Sequence, residues 1–268
     1  MFNIPIIDSL THPTIDTNWI LPQYPQKSAI DKLISNMDHC NISHALAVGM
    51  KGIGQYDEKQ YIDFIKPHTH RLIPIAFFDL NDDLTLADIS HKLSTIKILG
   101  YKGIKLHPRI SNFKLQNPLL APIIKQANEL QLSVLLCTYF YSQSSNSFNN
   151  IEQLANLIFK LDGAQVILLH AGTVRLLETI EIARANNNVL LDLSLTICKY
   201  KGSSLDLDIQ FAFNSFDKRI CIGSDFPEFS GSELRERFNF YAKNIQKNKM
   251  ENIAFRNILK FLQLPVNL

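Results

Sequence analysis

The sequence predicts a single domain over residues 1–268, α/β in class, folded as a (β/α)8 TIM barrel with a closing C-terminal helix. Three observations predict it. Eight short apolar runs, many rich in β-branched residues, are spread along the chain. From Pro5, where the first begins, to Arg219, where the last begins, they recur on average about every 31 residues, the length of one strand–helix unit. Between them lie stretches with helical periodicity, so nearly continuous apolar strands alternate with amphipathic helices, as in a parallel sheet covered by helices. An open doubly wound sheet would alternate in the same way, but no GxGxxG follows the first run, and eight units close a barrel.

The first strand, Pro5–Asp8, starts almost at once, and the opening MFNIPIIDSL lacks the basic and long apolar regions of a signal peptide. A long loop over residues 12–25 follows and holds the only tryptophan, Trp19. In Ala29–Met37, Ile30, Leu33, Ile34 and Met37 recur at i, i+3, i+4 and i+7, which predicts a helix. The second, third and fourth strands are His44–Val48, Ile73–Phe77 and Gly103–His107. The helical stretch Leu119–Leu130 leads into the fifth strand, Ser133–Cys137. The polar segment Tyr141–Asn150 then reads as a second long loop over the same barrel end, not as a linker between domains. The sixth strand, Gln165–His170, feeds a helix over Val174–Ala185; Val189–Leu193 and Arg219–Ile222 complete the set. All ten glycines fall at strand ends or in loops, none inside a predicted helix, where each would cost about 1 kcal/mol.

Composition narrows the function classes. A net charge of +2 gives no footprint for a phosphate backbone or an anionic membrane, so neither is an expected partner. No segment approaches the roughly 18 apolar residues of a membrane helix. The four cysteines, Cys40, Cys137, Cys198 and Cys221, form no CxxC pair and read as reduced thiols of a cytoplasmic protein. A small-molecule substrate is the expected partner, and the sequence leaves a homo-oligomer open.

Polar groups collect at the carboxyl ends of the predicted strands: Asp8 and His12, then Lys105 and His107, Cys137, His170, and Asp225. With Ile104 and Leu106 facing the helices, alternation turns Lys105 and His107 into the barrel, and the same parity is expected for Cys137, His170 and Asp225. Such residue types at one mouth suit metal binding and acid–base work. Singly, each has a plainer reading: His12 and His170 as satisfied core histidines, Asp225 as a helix cap, Cys137 as a small apolar residue. An inward lysine is harder to explain away, because an unpaired buried ammonium is costly and needs an anion, from Asp225, Asp8, a metal-bound group or a ligand. His39, His44, His68, His70 and His91 read as surface residues.

Five segments then resemble one family in the right order. IIDSLTH is similar to the first strand of the amidohydrolase-2 branch of the amidohydrolase superfamily. GYKGIKLHP (Gly100–Pro108), VILLHAG (Val166–Gly172) and IGSDFP (Ile222–Pro227) resemble its fourth, sixth and eighth strands, and Glu251–Leu264, with Asn257, its closing helix. The resemblance implies a TIM-barrel metal-dependent hydrolase or decarboxylase with a divalent metal, zinc by expectation. It places metal ligands among His12, Cys137, His170 and Asp225, with Asp225 and His170 also catalytic. Lys105, His107, Arg109 and Trp19 are then the expected substrate-binding residues. Two positions depart from the family pattern: Leu10 stands where the first histidine of a His-x-His pair is expected, and Cys137 where a histidine is. The expected function is hydrolysis of a C–N, ester or lactone bond in a small anionic substrate by metal-activated water. Non-oxidative decarboxylation, and a metal-free barrel that binds without turnover, are the alternatives. A metal-free enzyme built on Cys137 and His170 is a further one.

Overall fold

The computed structural model describes residues 4–20, 28–81, 83–140 and 150–265. Residues 21–25 of the first predicted long loop and 141–149 of the second lie outside them. Eight parallel strands form one sheet in chain order: β1 (Ile6–Thr11), β2 (Ile42–Val48), β3 (Leu72–Phe77), β4 (Gly103–Leu106), β5 (Ser133–Cys137), β6 (Val166–Leu169), β7 (Val189–Asp192) and β8 (Ile220–Cys221). Backbone bonds beyond β8 close the sheet onto β1. Ser9 N–H donates to Ile222 O at 3.1 Å, Asp225 N–H to Leu10 O at 3.0 Å, and His12 N–H to Phe226 O at 2.8 Å. The sheet is therefore a barrel, not an open doubly wound sheet.

Strand alternation divides the apolar residues into two cores. Ile104, Leu106, Val134, Leu136, Val166 and Leu168 face the helices, as the sequence predicts for β4. Ile7, Leu46, Ile75, Leu135, Ile167 and Leu190 fill the barrel. The helices bury the stripes their periodicity marks: Leu33 and Met37 in Ile30–His39, and Leu120, Ile123, Ile124 and Ala127 in Leu120–Glu129. On β1 the register shifts between Asp8 and Thr11, so Ile7 and Leu10, three apart, both face the interior. A β-bulge of this kind re-aims the side chains that follow it. Among the described residues, no helix is long and apolar enough to cross a membrane.

The chain closes with a helical run, Lys247–Glu251, Asn252–Arg256 and Asn257–Phe261, whose middle segment is a π turn. It begins earlier and ends sooner than the predicted Glu251–Leu264. Its Ile258, Leu259 and Phe261 enter the inner core and plug the barrel at the end away from the polar residues. Asn257 fixes this plug: its Nδ2 donates to Asp217 O at 2.6 Å and to Ile220 O at 2.8 Å. Asn257→Ala leaves both buried carbonyls without that partner and is expected to cost about 2–3 kcal/mol. Urea unfolding with an unchanged m-value measures it; a loss within error would remove Asn257 from the account.

Candidate active site

At the carboxyl end of the strands lies a cavity of about 320 Å³, the end where barrels of this fold build their sites. The structure brings seven of the sequence-predicted residues to it: His12, Trp19, Lys105, His107, Arg109, His170 and Asp225. The eighth, Cys137, lies beneath, hydrogen-bonded to His107 and His170. Asp8 does not line it. Its carboxylate accepts from Ser224 N–H at 2.8 Å and Ser224 Oγ–H at 2.6 Å, bracing the turn that carries Asp225. A larger cleft, about 640 Å³, opens at the other end near His44, Lys66 and Lys102. Its size does not make it the site, because no comparable convergence of acid, base and buried cation faces it.

Lys105 extends from β4 into the barrel and is 1% exposed. Its Nζ lies 3.1 Å from His12 Nε2, and that nitrogen lies 3.4 Å from Asp225 Oδ1. The other ring nitrogen of His12, Nδ1, sits 2.8 Å from Val48 O and must donate to it, so Nε2 presents a lone pair. Burial, and next the Lys105 charge, push the His12 pKa down to about 4. His12 is therefore neutral near pH 7, and its contact with Asp225 is not an ion pair. Burial also pulls Lys105 down, with Asp225 the leading charge that opposes it. For Asp225 burial acts upward, but the His170 and Lys105 charges help to hold its carboxyl well below the usual range.

A second group surrounds the Cys137 thiol. His107 Nδ1 accepts from Ile110 N–H at 3.2 Å, at the head of the helical turn Pro108–Ser111, which leaves its other nitrogen for Cys137. His170 Nδ1 lies 3.1 Å from Ser194 O and donates to it, and Ser194 Oγ–H in turn bonds Asp192 at 2.5 Å. Burial acts to raise the Cys137 thiol, yet His107 and His170 bring it well below its ordinary value. Burial lowers His107, so that ring is a neutral hydrogen-bond partner. For His170 burial acts the same way, but the bond to Cys137 leads the groups that raise it above its ordinary value. Cys137 and His170 thus shift one another in opposite senses, the thiol down and the imidazole up, under the cavity floor.

Parity alone does not aim His170. Val166 and Leu168 face the helices, so strict alternation would turn residue 170 outward too. The strand stops at Leu169, and His170 takes φ 65°, followed by Ala171 at 45° and Thr173 at 55°. This left-handed turn re-aims the ring into the cavity. Asp225, at φ 58°, is re-aimed in the same way.

Sequence reasoning missed Tyr139, Leu195, Lys199 and Glu228, which also line the cavity. Tyr139 was legible, since it stands two residues beyond Cys137 at the same parity. Lys199, in the helical turn Thr196–Lys199, carries no such signal. The Arg109 guanidinium stacks 4.6 Å from the Tyr139 ring, and Lys199 Nζ donates to its hydroxyl at 3.0 Å. Arg109 Nε is buried without a partner among the described residues. Trp19 stacks on His12 with ring centres 5.2 Å apart, held by its Nε1–H bond to Glu228 at 2.8 Å.

The expected divalent metal does not fit this arrangement. Catalytic zinc needs about three protein donors around one point. Among the described residues, no group of three or more His, Cys, Asp or Glu side chains could hold a metal ion. Cys137 is engaged by two histidines, Leu10 is packed into the inner core, and the Lys105 ammonium lies 3.1 Å from the one ring nitrogen that His12 could offer a metal.

No protein-family model and no curated protein matches the chain. Solved structures do. An uncharacterised TIM-barrel protein from Bordetella bronchiseptica superposes with a TM-score of 0.82 at 17% identity, over 97% of this chain and 99% of that one. 5-Carboxyvanillate decarboxylase from Sphingomonas paucimobilis gives 0.71 at 10% identity, over 98% and 100%. A β-aspartyl dipeptidase from Fervidobacterium islandicum gives 0.66 at 15% identity, over 97% and 74%. With the closed eight-stranded sheet, these likenesses establish the fold: the chain is a (β/α)8 TIM barrel, similar throughout its length to barrels that include a decarboxylase and a dipeptidase.

Proposed function

We propose that the chain is an enzyme that seats a small carboxylate-bearing substrate in the barrel mouth and hydrolyses a C–N, ester or lactone bond in it. One observation carries this reading. Three cationic side chains, Lys105, Arg109 and Lys199, face one cavity with His170 and Asp225, and both of the latter sit on left-handed backbone. Each such conformation costs a non-glycine residue about 1–2 kcal/mol and persists where the surroundings enforce it, most often at active sites. The resemblance of five segments to amidohydrolase-2 proteins supports the same reading, as does a fold shared with a dipeptidase.

Arg109 and Lys199 hold the substrate carboxylate, and Lys105 donates to the oxygen of the scissile carbonyl, where negative charge develops. Water attacks the carbonyl carbon as its proton passes to Asp225. His170 then donates a proton to the departing nitrogen or oxygen, and the bond to the carbonyl carbon breaks. No step passes through a metal ion.

Non-oxidative decarboxylation is a second reading, favoured by the electrostatics. Asp225, held far below the usual range, is a weak base, whereas His170 is raised above its ordinary value beside Cys137 and so holds a proton more readily. In that reaction the C–CO2 bond breaks, and the electron pair left on carbon takes the His170 proton. Incubation in 18O-water with small lactones, N-acyl amino acids and aromatic carboxylates separates the readings. Hydrolysis puts one 18O into the product acid. Decarboxylation releases CO2 and leaves a product with one carboxylate fewer. Binding of these compounds with no turnover would leave the barrel a non-catalytic binder.

A further inference from the structure

His12 and Asp225 aim two electron-rich groups at one another, a lone pair on Nε2 and a carboxylate oxygen 3.4 Å away. Such an approach in a buried place needs a positive charge close by. In a metal site that charge would be the ion. Here Lys105 Nζ fills the role, 3.1 Å from Nε2, on a side chain fixed by the middle of β4 and closed off from solvent. The other donors of the expected set point elsewhere. Cys137 is held between two histidines, and the apolar Leu10 belongs to the inner core.

We propose that the Lys105 ammonium is the resident cation of this site, standing where a divalent ion would, so that the native chain takes up no metal between His12 and Asp225. An ammonium carries three donors. One goes to His12 Nε2, Asp225 supplies the counter-charge, and the side chain still borders the cavity, where a remaining N–H meets an anionic ligand oxygen. An ion and an ammonium repel at this separation, so the two occupants exclude one another. The inference concerns the site's cation alone and holds whether the barrel hydrolyses, decarboxylates or only binds.

Zinc uptake tests it. The full chain, Lys105→Met and Lys105→Gln are each incubated with excess Zn2+ and desalted; metal content and melting temperature are then read with and without the ion. The native chain is expected to retain no zinc at this site and to melt unchanged. Lys105→Met, left with an uncompensated carboxylate, is expected to melt lower and to regain melting temperature in excess Zn2+, which the two freed donors, His12 and Asp225, hold weakly. The added Asp225→Asn change should abolish that recovery. Native protein that holds zinc lost on His12→Asn or Asp225→Asn would overturn the proposal. So would a folded Lys105→Met or Lys105→Gln protein that neither binds zinc nor shifts. If Lys105→Met fails to fold, Lys105→Gln, which is one atom shorter but keeps a neutral N–H donor, is read in its place, and the native arm stands by itself.

Discussion

Asp225→Asn is expected to lower kcat by about three orders of magnitude on whichever carboxylate the native chain turns over, with little change in KM. In the proposed reaction the carboxylate balances the charge of Lys105 and takes the proton of the attacking water, and its charge raises His170; Arg109 and Lys199, which would hold the substrate, are untouched. The same change leaves the buried Lys105 ammonium without its main counter-charge. It is therefore also expected to cost about 3–5 kcal/mol of stability near pH 7. In the native chain the lowered carboxyl contributes stability that is present above the ordinary carboxylate range and lost as pH falls through its folded value. Turnover must then be compared per folded molecule, at a temperature below both melting points. A kcat within a factor of a few of native would remove Asp225 from the chemistry.

Asp8→Asn is expected to act in the opposite direction on stability. Burial raises the Asp8 carboxyl to about 7, with the Ser224 bonds opposing that rise and the nearby Asp192 charge adding to it. A carboxyl raised on folding contributes most when protonated, so native stability should fall as pH rises from about 4 to about 7. The rise of roughly three pH units corresponds to about 4 kcal/mol. Asparagine keeps an acceptor for the Ser224 N–H and presents an amide to its hydroxyl. The variant should be flat in this window where the native chain slopes, and more stable above pH 7. Guanidinium unfolding of both proteins from pH 4 to pH 8 measures the difference. Parallel curves would show that Asp8 is already ionised without penalty.

The fold was legible because it repeats. Eight apolar runs at one spacing, and helices marked by residues such as Leu33 and Met37, are local patterns that the tertiary structure retains. Parity placed Lys105 because β4 is regular up to Leu106. Asp8 keeps the outward parity of Ile6 and so misses the cavity, whereas the bulge after it turns Leu10 and His12 inward, which a period of two does not foresee. For His170 the expected direction was right and its reason was not. A left-handed turn aims the ring, and nothing in HAG specifies that turn without its surroundings. The metal expectation came from residue types, which are indeed present: His12, Cys137 and Asp225. Pairing decides their use, and the contacts of Lys105 with His12 and of Cys137 with two histidines join strands far apart in the chain. Lys199 and Arg109 converge on Tyr139 for the same reason, from turns after different strands.

The most direct test of the central claim is a crystal structure of the native chain grown with Zn2+ and soaked with the carboxylate product of its reaction. The account predicts the carboxylate in the barrel mouth, within hydrogen-bond distance of Arg109 and Lys199, with Lys105 Nζ still against His12 Nε2. A zinc ion bound by His12 and Asp225, or the carboxylate seated only in the opposite cleft beside His44, Lys66 and Lys102, would contradict it.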